Sequence, residues 1–222
     1  HKKQSSTCKK HACGCFFVCA LYLPRLFAKV ISVPPRRAVG LALRCFEHSS
    51  KLEVMKIRLI LFDLGGVIYT SDRHEAVRRF GSLGLKDAEN QLNMYTQTGL
   101  FGALEEGKIS DKEFVAQLSD KVGESLSWDD CRLAWLGYAT FLPQRNLNVL
   151  LRLRHMGFRL ALASNTNPFM MSWIDSCDFD GKGNSIRSYL DELYVSYKIK
   201  ALKPSPVFFE YILQKEKVQA ED

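Results

Sequence analysis

Cysteine is scarce in most of this sequence: five of the seven cysteines lie in residues 1–54, and only Cys131 and Cys177 lie in residues 55–222. Two scattered cysteines do not make a disulfide framework, and they indicate a reducing compartment, so we expect a cytoplasmic protein. A long apolar run is also missing. Because a spanning helix needs about 20 apolar residues, we expect no membrane partner.

An excess of charge is likewise absent from residues 55–222, which hold 21 basic and 22 acidic residues. The formal charge of +7 comes from residues 1–54, which contain ten Lys or Arg and two Glu. A nucleic-acid-binding domain needs a concentrated basic surface, and the longer part of the chain has no such excess. We therefore expect no nucleic-acid partner.

Residues 1–54 allow three interpretations. A basic start followed by the apolar run 12–23 resembles a secretory signal, although no clear small-residue cleavage site follows. The cysteines together with His11 suggest a metal site, but they lack the paired two-residue gaps of ordinary zinc sites. The third interpretation is translation from upstream of the natural start, because the composition changes abruptly before Met55. We favour the third and expect residues 1–54 to be disordered or not native.

The first chemical signal is the stretch 57–69, IRLILFDLGGVIY, in which an apolar run ends on Asp63 and is followed by Gly65 and Gly66. A short apolar run stopped by a turn signal indicates a buried strand. Asp63 would then lie at the carboxyl end of that strand, where open parallel sheets bind ligands. The glycines would let backbone N–H groups approach an anion. Taken alone, the same residues also fit a strand with an Asx turn.

Residues 71–143 have the periodicity of helices. Ser110 and Glu113 stand in the register of a capping box at the start of one of them. A later helix is expected to turn Leu133 and Phe141 inward. A block of helices is therefore inserted between two strands.

Two further strands are predicted, and each is followed by polar or basic residues. Residues 158–163 are apolar and lead to Ser164 and Asn165. Helices that alternate with strands indicate a parallel sheet, so these side chains would share an edge with Asp63. Residues 191–196 form the third strand, and Lys203 follows it, next to Pro204 at the start of a helix.

Together these stretches resemble three motifs of the haloacid dehalogenase-like (HAD) hydrolases: Asp-Leu-Gly-Gly-Val after a strand, a strand ending in Ser-Asn, and Lys-Pro before a Phe-containing helix. The similarity is greatest to phosphatases of sugar phosphates such as glucose 1-phosphate. It implies an α/β fold with a Rossmann-like parallel sheet formed by residues 55–70 and 144–222. Residues 71–143 resemble the helical cap that such phosphatases carry, which selects the substrate.

The resemblance also implies a mechanism and a partner. The substrate would be a small phosphorylated metabolite, the cofactor Mg²⁺, and the protein a monomer or homodimer. Asp63 would be the nucleophile that forms an aspartyl-phosphate, and Lys203 would neutralise charge. Asp63 and the carbonyl of Gly65 would hold the metal. Substrate binding is assigned to Gly65, Gly66, Ser164 and Asn165.

Two departures from the family pattern keep alternatives open. Gly65 stands where the family usually has a second aspartate, which serves as the acid. No apolar run follows the Lys-Pro helix to form the strand of the fourth, acidic motif. We therefore expect a fragment that lacks the C-terminal strands, inactive as residues 55–222 alone, although its parent is an enzyme. The alternatives are a phosphate-binding pseudoenzyme or interaction module, and a metal-independent dehalogenase.

Overall fold

The computed structural model describes residues 57–94 and 96–220, together with a short strand at Val18–Cys19. Apart from that strand, the prediction of a leader over residues 1–54 lies outside the described residues. Within the described residues, no helix has both the length and the apolar character needed to cross a membrane.

The main sheet has four strands: β1 (Val18–Cys19), β2 (Leu59–Phe62), β5 (Arg159–Ser164) and β6 (Glu192–Val195). Their spatial order is β1-β2-β5-β6. β5 pairs in parallel with both β2 and β6, whereas β1 runs antiparallel to β2. A second, two-stranded antiparallel sheet joins β3 (Thr70–Ser71) to β4 (Ala139–Phe141).

The helices between β3 and β4 are α1 (Arg73–Ser82), α2 (Ala88–Gln91), α3 (Gly99–Glu105), α4 (Asp111–Val122) and α5 (Trp128–Trp135). The remaining helices are α6 (Gln144–His155), α7 (Pro168–Ile174), α8 (Ser196–Ile199) and α9 (Pro206–Glu216). Single 3₁₀ turns occur at Leu136–Tyr138 and Ile186–Ser188.

The central strand β5 is buried on both faces because its side chains alternate between two apolar clusters. Leu160 and Leu162 belong to the larger cluster, while Ala161 and Ala163 belong to a smaller one. Phe208 of α9 is fully buried in the smaller cluster. Burial of both faces explains why this strand is a continuous apolar run rather than an alternating one.

An aromatic cluster joins the inserted helices to the main sheet. The ring of Phe101 makes an edge contact with that of Phe114, with centroids 5.3 Å apart. The ring centroid of Phe114 in turn lies 5.6 Å from that of Phe169 in α7. Because these aromatic side chains belong to the same buried cluster as Leu160 and Leu162, the helical block has no separate core.

The predicted fold class is confirmed: the structure is α/β, with parallel pairing of β2, β5 and β6. The predicted capping box is present, since Ser110 Oγ accepts from Glu113 N and the Glu113 carboxylate accepts from Ser110 N.

The predicted inward placement of Leu133 and Phe141 is wrong, because their side chains are 53% and 65% exposed. The helix ends at Trp135, so helical periodicity does not reach Phe141 in β4. The domain boundaries stay a prediction.

Candidate active site

The structure brings Asp63 and Lys203 into contact at the carboxyl edge of the parallel strands. Asp63 follows the last residue of β2, and Lys203 lies in the segment between α8 and α9. Lys203 Nζ lies 2.9 Å from Asp63 Oδ1, and it also donates to the carbonyl of Ala163 in β5 at 2.7 Å. The lysine side chain therefore bridges the ends of two neighbouring strands.

The Asp63 carboxylate is held in one orientation. Besides the ion pair with Lys203, Oδ1 accepts the backbone N–H of Leu64 at 2.7 Å. About a third of the Asp63 side chain is exposed, more than of the Lys203 side chain. Since the contacts made by the described residues use Oδ1, Oδ2 is the oxygen available to a ligand or a reacting atom.

The amide of Asn165 fixes the backbone of Lys203. Its Oδ1 accepts the N–H of Lys203 at 2.8 Å, and its Nδ2 donates to the carbonyl of Lys203 at 3.1 Å. Sequence reasoning assigned Asn165 to the substrate and missed this contact, which joins residues 38 positions apart. The carboxamide oxygen of Asn165 already accepts a backbone N–H, and one N–H of its Nδ2 remains to bind a ligand.

Ser164 ends β5 and is only 2% exposed. Its hydroxyl contacts the carbonyl of Asn165 at 3.3 Å, which is long for an O–H···O hydrogen bond. A hydroxyl held this weakly can rotate towards an anion bound at the strand end.

The turn after Asp63 uses part of its own hydrogen-bonding capacity. Gly66 has φ +75°, a conformation that glycine adopts without steric cost, and its N–H donates to the carbonyl of Tyr69 at 2.8 Å. The N–H of Ile68 donates to the carbonyl of Leu64. The tight turn thus occupies the Gly66 N–H to which sequence reasoning gave a role in substrate binding. The contribution of Gly66 in the structure is to the shape of the turn.

No protein-family model matches the chain, but it is similar to a curated protein and to solved structures. A D-ribitol-5-phosphate phosphatase from Bacteroides thetaiotaomicron is 44% identical over 158 residues, 71% of this chain and 76% of the relative. A structure described as a predicted HAD-like family hydrolase from Porphyromonas gingivalis is 33% identical, with a TM-score of 0.70, over 74% of this chain and 78% of that one. The chain belongs to the HAD-like hydrolases.

A further solved relative of this HAD-like hydrolase carries ligands. It is a HAD family enzyme from Bacteroides thetaiotaomicron, an aspartate-to-alanine mutant in complex with magnesium and inorganic phosphate. It is 27% identical, with a TM-score of 0.68, and the alignment covers 73% of this chain and 80% of that chain.

The residues after the turn bring two hydroxyl groups next to Gly65. A Cβ built on Gly65 would lie 2.9 Å from Ser71 Oγ and 3.5 Å from the Tyr69 hydroxyl oxygen. Tyr69 is buried, and burial together with the charge of Asp63 raises the pKa of its hydroxyl, which therefore stays protonated. Sequence reasoning missed both residues, because a tyrosine that follows an apolar strand is most often part of the core.

Glu105, at the end of α3, is a second residue that sequence reasoning missed. Its side chain is buried, and desolvation raises its pKa to about 8. The Glu105 carboxylate contributes to raising the pKa of the Tyr69 and Tyr138 hydroxyls. The Glu105 backbone carbonyl accepts the hydroxyl of Ser196 at 2.6 Å, so the end of α3 is tied to the start of α8. This carboxyl therefore lies where the helical block meets the main sheet.

The buried Glu105 makes stability depend on pH in a predictable direction. Its pKa in the folded protein, about 8, lies above the ordinary value of 4.5, so folding favours the protonated form. Its contribution to the free energy of unfolding is complete below about pH 4.5 and is lost as the pH rises through about 8. We expect Glu105→Gln to raise the melting temperature relative to the wild type more at about pH 8 than at about pH 5.

Glu106→Gln is the matched control, because Glu106 is the adjacent residue but is only partly buried and pairs with Lys108. Its effect on melting temperature should differ little between the two pH values. An equal effect of Glu105→Gln at both pH values would contradict the raised pKa.

The oxygens at the end of β2 fit a magnesium ion. The Asp63 carboxylate offers Oδ2, and the N–H groups of the turn donate to the carbonyls of Leu64 and Tyr69 rather than to that of Gly65. In the part of the chain that the structure describes, no three His, Cys, Asp or Glu side chains cluster as metal ligands. Mg²⁺ often keeps several waters and is held by one or two carboxylates together with substrate phosphate, so Asp63 and the Gly65 carbonyl suit it.

Proposed function

We propose that this HAD-like hydrolase is a phosphatase that cleaves a small phosphomonoester, a sugar or polyol phosphate, through an aspartyl-phosphate on Asp63. The observation that carries the proposal is the contact of 2.9 Å between Lys203 Nζ and Asp63 Oδ1. It joins a carboxylate nucleophile and a fixed cation at the strand edge where this type of sheet binds ligands.

In the first step, a carboxylate oxygen of Asp63 attacks phosphorus and the bond from phosphorus to the ester oxygen breaks. The phosphoryl group passes to the carboxylate, and the alcohol leaves as an alkoxide that takes a proton from water. The Lys203 ammonium offsets the negative charge that develops on the phosphoryl oxygens. The Ser164 hydroxyl and the remaining N–H of Asn165 donate to the same oxygens. When bound, Mg²⁺ would add positive charge beside the phosphate, held by Asp63 and the Gly65 carbonyl.

In the second step, water attacks the phosphorus of the aspartyl-phosphate. The products are inorganic phosphate and the original Asp63 carboxylate. The proton that this water gives up balances the one that the alkoxide takes from water in the first step, so no proton is released overall. The ion pair with Lys203 and the hydrogen bond from Leu64 N return the carboxylate to its starting orientation.

The substrate class is supported by the curated relative, a D-ribitol-5-phosphate phosphatase that shares 44% identity with this chain. The helical block is inserted in the chain between β2 and β5, the strands that end next to Asp63 and at Ser164. Inserted helices in this position can close over a substrate and exclude water. We therefore place D-ribitol 5-phosphate first among the substrates to test, followed by sugar phosphates of similar size.

The test is the release of inorganic phosphate by the full-length protein from D-ribitol 5-phosphate, glucose 1-phosphate and related esters. We expect turnover that requires Mg²⁺ and is lost when EDTA removes the metal. Halide release from a 2-haloacid without metal would show a dehalogenase instead. Binding of vanadate or phosphate without turnover of any ester would show a binding module.

A further inference from the structure

The space that a side chain at position 65 would enter is filled by hydroxyl groups from further along the chain. Ser71 Oγ lies 2.9 Å from the position of a Cβ on Gly65, closer than a real Cβ approaches a neighbouring atom, and the Tyr69 hydroxyl lies at 3.5 Å. Gly65 is two residues after Asp63, so this space adjoins the nucleophile. The Ser71 hydroxyl therefore occupies part of the space that a side chain at position 65 would need, and the Tyr69 hydroxyl lies in van der Waals contact with that space.

The two hydroxyls act as a pair. Tyr69 immediately precedes β3 and Ser71 is the last residue of that strand, and side chains two positions apart along an extended chain lie on the same face. Both hydroxyl oxygens lie beside the same point, the position of a Cβ on Gly65, at 2.9 Å for Ser71 and 3.5 Å for Tyr69. Asp63 is close enough for its negative charge to raise the pKa of the Tyr69 hydroxyl.

The chain before this pair is held firmly. Asn146 of α6 donates through Nδ2 to the carbonyls of Val67 at 2.9 Å and Ile68 at 3.0 Å. On the other side of Thr70, Ser71 pairs with Ala139 of β4. The hydroxyls are therefore placed by the fold before any ligand arrives, which is the condition under which a donor stabilises developing charge effectively.

We infer that the hydroxyls of Tyr69 and Ser71 donate hydrogen bonds to the leaving-group oxygen of the phosphomonoester, in place of a side chain at position 65. The inference rests on the proposed function. As the bond from phosphorus to the ester oxygen breaks, its electron pair stays on that oxygen, and the hydroxyls stabilise the charge. The departing alkoxide takes its proton from water, so Tyr69 and Ser71 remain protonated throughout.

The requirement for such a donor depends on the leaving group. The leaving group of a polyol phosphate is an alkoxide, a strong base that is stabilised considerably by hydrogen bonding as it departs. The leaving group of p-nitrophenyl phosphate is p-nitrophenolate, a weak base that needs no such hydrogen bond. Removing a hydroxyl that donates to the leaving oxygen should therefore slow hydrolysis of the polyol phosphate and leave hydrolysis of p-nitrophenyl phosphate unchanged. A variant that only loosened the fold would slow both.

The experiment compares Tyr69→Phe and Ser71→Ala with the wild type in the full-length protein. We expect kcat for D-ribitol 5-phosphate to fall by about 10²-fold in Tyr69→Phe, the lower end of the loss on removing one preorganised donor, and by less in Ser71→Ala. For p-nitrophenyl phosphate, kcat should change little in either variant. KM should change little, because the hydrogen bond strengthens only as the bond breaks.

Tyr138→Phe is the matched control, since the Tyr138 hydroxyl is also buried but is bonded to the carbonyl of Asn93 and to Gln97. Its effect should not depend on the leaving group. Equal losses on both substrates in Tyr69→Phe and Ser71→Ala, or no loss on either, would overturn the inference while leaving the phosphatase in place. Absence of turnover by the wild type on every phosphate ester would overturn both proposals.

Discussion

Asp63→Asn should lower the turnover of phosphate esters by about 10⁴-fold or more, the scale seen when a covalent catalytic group is removed. The carboxamide has almost the shape of the carboxylate, so the turn at Leu64 to Tyr69 can form around it. It cannot attack phosphorus, because its oxygen carries no full negative charge and its nitrogen is not nucleophilic. The measurement is the initial rate of phosphate release at saturating Mg²⁺.

Acid quenching during turnover gives a second measurement of the same prediction. The wild type should retain phosphate covalently on the protein, at an acyl-phosphate bond that hydroxylamine cleaves, and Asp63→Asn should retain none. Asp129→Asn is the matched control: Asp129 is exposed in the first turn of α5, and the same chemical change there should leave the rate unaltered. A variant at position 63 that kept a rate within about tenfold of the wild type would rule out a covalent intermediate on this carboxylate.

The sequence predicts the parts of the site that depend on strand direction. Asp63 and Ser164 each stand where an apolar run stops, and parallel pairing of β2 with β5 is enough to bring both strand ends to one edge. Lys203 lies on a connection that follows β6, and the resemblance to HAD motifs predicts its role. Because β5 lies between β6 and β2, the Lys203 side chain reaches Asp63 across the end of β5, where the carbonyl of Ala163 accepts its ammonium.

Contacts between side chain and backbone across long sequence separations could not be predicted. The clamp of Asn165 on Lys203 leaves no periodic pattern, and an Asn after a strand equally fits a helix cap or a ligand contact. Burial of Glu105 also has no sequence signature, because the stretch Glu105-Glu106-Gly107-Lys108 is polar and indicates a turn. Its environment arises only when α3 packs beside α8, a tertiary effect that overrides local composition.

The small sheet of β3 and β4 was missed for a related reason. Its strands have two and three residues, too few to show the alternation on which strand prediction depends. Phe141 was consequently assigned to a helix and to the core, whereas it pairs with Thr70 and is exposed. This sheet joins the entry and the exit of the helical block, and it positions Ser71 beside Gly65.

Lys203→Met should produce the second large loss, about 10²–10³-fold in kcat, because it removes a fixed charge that faces the developing negative charge. Methionine keeps most of the apolar length of the side chain, so the loss reports on the ammonium group. Lys203→Arg should recover only part of the activity, since a planar guanidinium cannot occupy the position that an ammonium holds between Asp63 Oδ1 and the carbonyl of Ala163. Lys215→Met, at an exposed position of α9, is the control.

Asn165→Ala, compared with Lys203→Met, tests how the Lys203 backbone is held in place. This substitution leaves the ammonium in the protein but removes the hydrogen bonds to the backbone of Lys203, so kcat should fall by a smaller factor than in Lys203→Met. If positioning of the ammonium is the main contribution of Asn165, the double variant should be no slower than Lys203→Met alone, because the clamp has nothing left to position. Additive losses would instead mean that Asn165 acts on the substrate through its remaining N–H. Rates of the two single variants and the double variant, measured on one ester, decide between these roles.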